Sequence, residues 1–196
     1  MTRSIAGIAT AVALASALAC ASDKPMSPRE VSIPLFDRMG GENNIGTHVN
    51  GDGEVPARPS QAQGQAIFRI SDDGQSVDYK LIAANIDNAF MAHIHLAPVG
   101  VNGPIVEWLF PSTAPVPGPV GTGRFDGVLA TGTFTAANLV GPLAGHPLSE
   151  LISAMRDGGA YVNVHTNDGI APTNTGPGDF PGGEIRGQLA APGSKM

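Results

Sequence analysis

Between His48 and Leu189 the chain is dominated by short runs in which every second residue is apolar, each stopped by a cluster of Gly, Pro, Asn or Asp. A period of two sends alternate side chains to opposite faces of a strand, so these runs commit the chain to sheet rather than helix. Ala66, Phe68 and Ile70 alternate with Gln65 and Arg69. Asp72-Asp73-Gly74 follows, and then Val77, Tyr79, Leu81 and Ala83 alternate with Asp78 and Lys80. Two such runs around an Asp-Gly turn predict a β-hairpin. Ala92, Ile94 and Leu96 alternate with His93 and His95. Ile105 to Phe110, Phe125 to Phe134, Tyr161 to His165 and Glu184 to Leu189 read as further strands. One helix is predicted near residues 147–157, because Leu148, Leu151, Ile152 and Met155 fall at helical spacing between Pro147 and Gly158-Gly159. The pattern predicts an all-β fold: an antiparallel, Greek-key-like sandwich or barrel with that one short helix.

Composition narrows the class further. The 26 glycines and 17 prolines among 196 residues exclude long helices and coiled coils. With 42% hydrophobic and 14% charged residues, wholesale disorder is excluded too. The formal net charge is −6, and 11 basic residues face 17 acidic ones without forming a basic stripe. Nothing there could displace counterions from a phosphate backbone, so no nucleic-acid partner is expected.

The first residues read as an export signal. Arg3 precedes an uncharged, mostly apolar run from Ile5 to Ala19, about the length of a signal-peptide core and short for a membrane span. The sequence thus divides into a signal peptide (1–19), a tether (20–46), a β domain (47–190) and a tail (191–196). The tether holds Pro25, Pro28, Pro34 and Gly40-Gly41, with a short strand expected at Val31 to Phe36. Cys20 is the single cysteine, so no intrachain disulfide can form. Following Ala17-Leu18-Ala19, it resembles a lipobox cysteine, although Leu18 stands one step late for that motif. Two readings stay open: a lipoprotein anchored through Cys20, or a plainly secreted or periplasmic chain. Either way the expected location is outside the cytoplasm, with membrane contact only through such an anchor.

Two long segments carry a family resemblance. One is Ala92-His93-Ile94-His95-Leu96 followed by Gly100-Val101-Asn102-Gly103-Pro104. The other is Tyr161-Val162-Asn163-Val164-His165-Thr166 with Pro181-Gly182-Gly183-Glu184-Ile185-Arg186-Gly187-Gln188-Leu189. With Gly53-Glu54-Val55-Pro56 at the start, they resemble the CHRD (chordin) domain family from about His48 to Leu189. The resemblance implies an extracellular or exported β domain and no settled biochemical activity. Ala97-Pro98-Val99 and the long loop after His165 depart from the family's pattern.

Strand parity places the histidines. His93 and His95 share a face, as do Asn163 and His165, and Glu184, Arg186 and Gln188 form a third polar row. Were these strands neighbours, one face would gather three imidazoles, an amide, a carboxylate and a guanidinium. His93, His95 and His165 are candidate ligands for copper or zinc, since neutral ring nitrogens suit both ions. A His-x-His strand with a distant Val-His strand is also similar, in part, to the copper arrangement of the Cu,Zn superoxide dismutase family. That family's bridging-histidine segment, disulfide cysteines and arginine over copper have no matching positions here. His48 or His146 could complete a fourth ligand, although nothing in the spacing requires it, and His146 beside Pro147 reads as a capping or solvent-exposed residue at the helix start. The competing account is structural: histidines on a half-exposed sheet face that bond neighbouring polar groups, with Glu184 and Arg186 as same-face partners. Trp108 reads as core, and Asp72-Asp73-Gly74 and Asn167-Asp168-Gly169 read as turns rather than calcium loops.

No nucleophile elbow, phosphate loop or zinc-protease helix motif is present. The expectation is a non-enzymatic binding module for an extracytoplasmic protein or matrix partner or a metal ion. It would act through the His-bearing face and the loops Pro111 to Gly123 and Asn167 to Gly183. The alternative is a copper or zinc enzyme, superoxide dismutase-like, built on His93, His95 and His165.

Overall fold

The computed structural model describes residues 43–112, 115–191 and 193. The segment read as a signal peptide, Cys20 and the strand expected at Val31 to Phe36 lie outside the described residues. Eight strands form one antiparallel sheet: β1 (Asn44–Asn50), β2 (Gln63–Ile70), β3 (Val77–Asp87), β4 (Ala89–Leu96), β5 (Ile105–Phe110), β6 (Arg124–Phe134), β7 (Ala160–Thr166) and β8 (Ile185–Leu189). Their order is β5-β4-β7-β8-β1-β2-β3-β6. The sheet curls into a nearly closed barrel. Across the gap between its edges Tyr79 Oη donates to Leu109 O at 2.8 Å, from β3 to β5. Gly132 on β6 makes room for this, since a Cβ there would meet the Tyr79 ring at 2.7 Å. A 3-10 turn, Gly141–Leu143, sits beside β5, and Val140 N donates to Val106 O at 2.9 Å, which blunts part of the open edge.

The β2–β3 hairpin forms around Asp72-Asp73-Gly74 as the sequence predicts. Asp73 Oδ1 accepts from Ser71 Oγ and from Gln75 N, so these acids build the turn. The helix α1 (Leu148–Arg156) buries Leu148, Leu151, Ile152 and Met155, with Pro147 at its N-cap and Gly158 in the left-handed region just past its end. Burial of each such side chain is worth roughly 1.5–3 kcal/mol.

The sequence reading missed β1, which starts at Asn44 inside the span assigned to the tether. Its inward positions are Ile45, Thr47 and Val49, and Thr47 breaks the apolar alternation. A Cβ on Gly187 of β8 would meet Thr47 Oγ1 at 2.7 Å, so this threonine fills the space a glycine leaves.

The barrel interior is mainly apolar: Ile45, Val49, Phe68, Leu81, Ile86, Ala92, Ile94, Val162, Val164, Ile185 and Leu189 are all buried. All of β7 is buried as well, on its outward-facing side too. That outer side is covered by loops, and the candidate site lies beneath them.

Candidate metal centre

Register assembles the site. His93 on β4 stands opposite Asn163 on β7, which stands opposite Arg186 on β8, which stands opposite Asn50 on β1; Trp108 on β5 continues the row beyond His93. A second row runs Ile105, His95, Tyr161, Gln188, and Met91 stands opposite His165. Paired residues of an antiparallel ladder project to the same face. His93, His95 and His165 therefore meet outside the barrel wall. One potential ligand atom from each lies within 4.8 Å of the other two.

The face is not half-exposed, as the structural account from sequence assumed. His93 is 0%, Asn163 2%, Glu184 1% and Arg186 2% exposed. The loop 97–104 folds over one end. Arg186 holds it by donating from Nη1 to Asn102 Oδ1 and from Nη2 to Val101 O, both at 2.9 Å. The segment leading into β8 covers the other end. Glu184 is not Arg186's partner: its carboxylate accepts from Ser60 Oγ (2.5 Å), Thr166 Oγ1 (2.6 Å) and Gly178 N (2.7 Å), pinning the long loop to β7.

The covering loops also fix the imidazoles. His95 Nδ1 donates to Gly103 O and His165 Nδ1 donates to Pro181 O, each at 2.8 Å. A carbonyl oxygen can only accept, so both rings carry their proton on Nδ1 and a lone pair on Nε2. The Nε2 of His165 faces His93 Nδ1 at 3.1 Å. The Nε2 of His95 is buried without a well-formed hydrogen bond, with the Asn163 side chain its polar neighbour. Orientation of ligand imidazoles by backbone carbonyls is the usual outer sphere of a metal site.

Burial keeps the three rings neutral. The His93 imidazole is pushed down to about 2, by burial first and then by His165 and His95. His165 falls to about 4, where burial outweighs its bond to Pro181. His95 is lowered by burial, with Arg186 adding to the effect. Neutral imidazole is the form that binds metal. Three nitrogens spread evenly at ~2.0–2.1 Å around one ion lie about 3.6 Å apart, so ring movements of about 1 Å would close the set. The residues present fit a copper or zinc ion.

Aromatic rings wall the cluster. Trp108 meets His93 edge-on, with ring centroids 4.2 Å apart, and is partly exposed; the expectation that it is a core residue is corrected. Tyr161 stacks on His95 at 4.8 Å and 7°, and the Arg186 guanidinium lies 3.4 Å from the Tyr161 ring centroid. Phe90 packs against His165 with centroids 6.5 Å apart. The two spare imidazoles stay away. His48 is exposed, and His146 bonds Glu150 Oε2 at 3.0 Å on the helix surface; neither belongs to the cluster. Glu54, which the sequence reading gave no site role, is buried beside Asn163 and Arg186. Burial raises its carboxyl to about 7 against the lowering effects of Arg186, Asn163 and Arg58. Its signal was its place in Gly53-Glu54-Val55-Pro56, a polar residue inside a matched motif.

Fold and site together define a class: an antiparallel β-barrel domain with a loop-covered histidine cluster on its outer wall. The CHRD domain family model matches residues 45–189, which span β1 to the end of β8. The chain belongs to the CHRD domain family. No curated protein matches it in a sequence search. No helix among the described residues is long and apolar enough to cross a membrane.

Proposed function

We propose that this protein is an exported CHRD-domain binding module whose ligand is a copper or zinc ion held by His93, His95 and His165. One observation carries the reading: two imidazoles donate Nδ1–H to loop carbonyls and leave their Nε2 lone pairs for the cluster, against a third ring 3.1 Å from one of them. The deep burial of all three supports it, because an empty polar cluster in such a place leaves His95 Nε2 without a hydrogen-bond partner. Export rests on the apolar leader after Arg3, and lipid anchoring on Cys20, as read from sequence. The test is metal content after purification without chelator or affinity histidines, beside a His93→Ala/His95→Ala/His165→Ala variant. One equivalent of copper or zinc in the first and none in the second supports the reading. No metal in either, after incubation with both ions, overturns it.

A second reading, contact with an extracytoplasmic protein or matrix partner, has its own support. Val116, Val120 and Ile170 are 62%, 47% and 68% exposed. They lie on two loops joined by Gly121 N donating to Asn167 O at 2.9 Å. Val116→Ser/Ile170→Ser should weaken binding to such a partner and leave metal content unchanged. The superoxide dismutase-like alternative uses the same three histidines, and superoxide consumption by the copper-loaded chain separates it from a pure binding role.

A further inference from the structure

We infer that the histidine cluster is built for cuprous ion, Cu(I), in preference to zinc. The inference rests on the metal-site reading above and goes beyond it by naming the ion and its charge. The donor set is neutral: three imidazoles, with no carboxylate or thiolate in the cluster among the described residues. The nearby carboxylates lie outside the cluster. Glu184 accepts from Ser60, Thr166 and Gly178, and Glu54, whose Oε1 has no hydrogen-bond partner, sits beside Asn163 and Arg186.

Charge then decides between ions. The cost of burying an ion grows with the square of its charge, so a dication costs about four times as much as a monocation in the same surroundings. Here those surroundings are Trp108, Tyr161 and Phe90, with the Arg186 guanidinium over Tyr161 adding positive charge beside His95. Coordination number points the same way. Structural zinc takes four ligands and catalytic zinc three plus water. The cluster offers three nitrogens under cover, which is a complete sphere for Cu(I). The same sheet face carries one thioether. Met91 stands opposite His165 and two residues before His93, partly exposed at the edge of the row. A thioether selects cuprous copper over zinc.

The test titrates the full chain anaerobically with Cu(I) against bicinchoninate, and separately with Zn(II) against a zinc chelator. The expected result is one equivalent of Cu(I) bound at least ~1000-fold more tightly than Zn(II). X-ray absorption of the copper form should show a low-coordinate site dominated by nitrogen. Zn(II) bound as tightly as Cu(I) overturns the preference and leaves the metal-site reading standing. Neither ion bound overturns both. A second variant, Asn163→Asp, sets a carboxylate in register with His93. It should shift the Cu(I)-to-Zn(II) affinity ratio at least ~10-fold toward zinc, and an unchanged ratio in a folded variant counts against the charge argument.

Discussion

Glu107 is the buried acid for which the structure makes the sharpest stability prediction. It lies on β5 opposite Ile94, is 5% exposed, and its Oε2 has no hydrogen-bond partner. Burial raises its carboxyl from 4.5 to about 8, and only the Trp108 amide favours the charged form. Tyr79 is close enough to feel its charge. Between about pH 4.5 and 8 the folded chain keeps this proton while the unfolded chain has released it. The contribution of Glu107 is therefore fully present below pH 4.5 and is lost as pH rises toward 8. At 1.36 kcal/mol per pKa unit, the loss between pH 5 and pH 8 is about 3 kcal/mol. Glu107→Gln keeps the shape and removes the titration. The assay is urea unfolding of both metal-free chains at pH 5, 6, 7 and 8, read as the difference between them. Glu54, also raised, adds a loss of the same sign, whereas the depressed histidines add stability as pH rises through their unfolded value; both are common to the two chains. The variant should gain on the wild type steadily, by about 3 kcal/mol across that range. A difference that stays flat with pH would refute the buried, protonated Glu107.

Further predictions follow from single contacts. Gly183→Ala puts a Cβ 2.5 Å from Glu54 Oε1 and 2.8 Å from Asn163 Nδ2, at a φ of 123°. It should cost about 2–3 kcal/mol in denaturant unfolding and lower metal affinity by disturbing the floor of the cluster. Tyr79→Phe deletes the bond across the barrel gap and should cost about 1 kcal/mol, with faster hydrogen exchange along β5. Arg186→Lys cannot reproduce the two bonds to Val101 and Asn102. The Gly103 amide, which donates to Tyr161 Oη at 3.2 Å, should then exchange faster while the global fold persists.

Local pattern made much of the fold legible. The β2–β3 hairpin and α1 are specified by neighbours in sequence, and both lie within a few residues of where the spacing puts them. β1 was hidden because Thr47 occupies an inward position, a choice that only Gly187, 140 residues later, explains. The site was half legible. Parity put His93 with His95 and Asn163 with His165, but nothing local states that β4, β7 and β8 are adjacent. That adjacency turns two rows into one cluster. Burial of the polar face was not legible at all. It depends on the loop at Gly103 and the turn at Pro181 folding back so that their carbonyls accept from the rings. The same loops explain why Glu184 and Arg186, two apart on one chain, serve different partners.

The most direct test of the central claim is anomalous diffraction from crystals of the chain grown with one equivalent of copper. The account predicts one strong copper peak about 2.0–2.1 Å from His93 Nδ1, His95 Nε2 and His165 Nε2, beneath the loop 97–104. A peak at His48 or His146 with nothing at the cluster, or no peak at all, would contradict it.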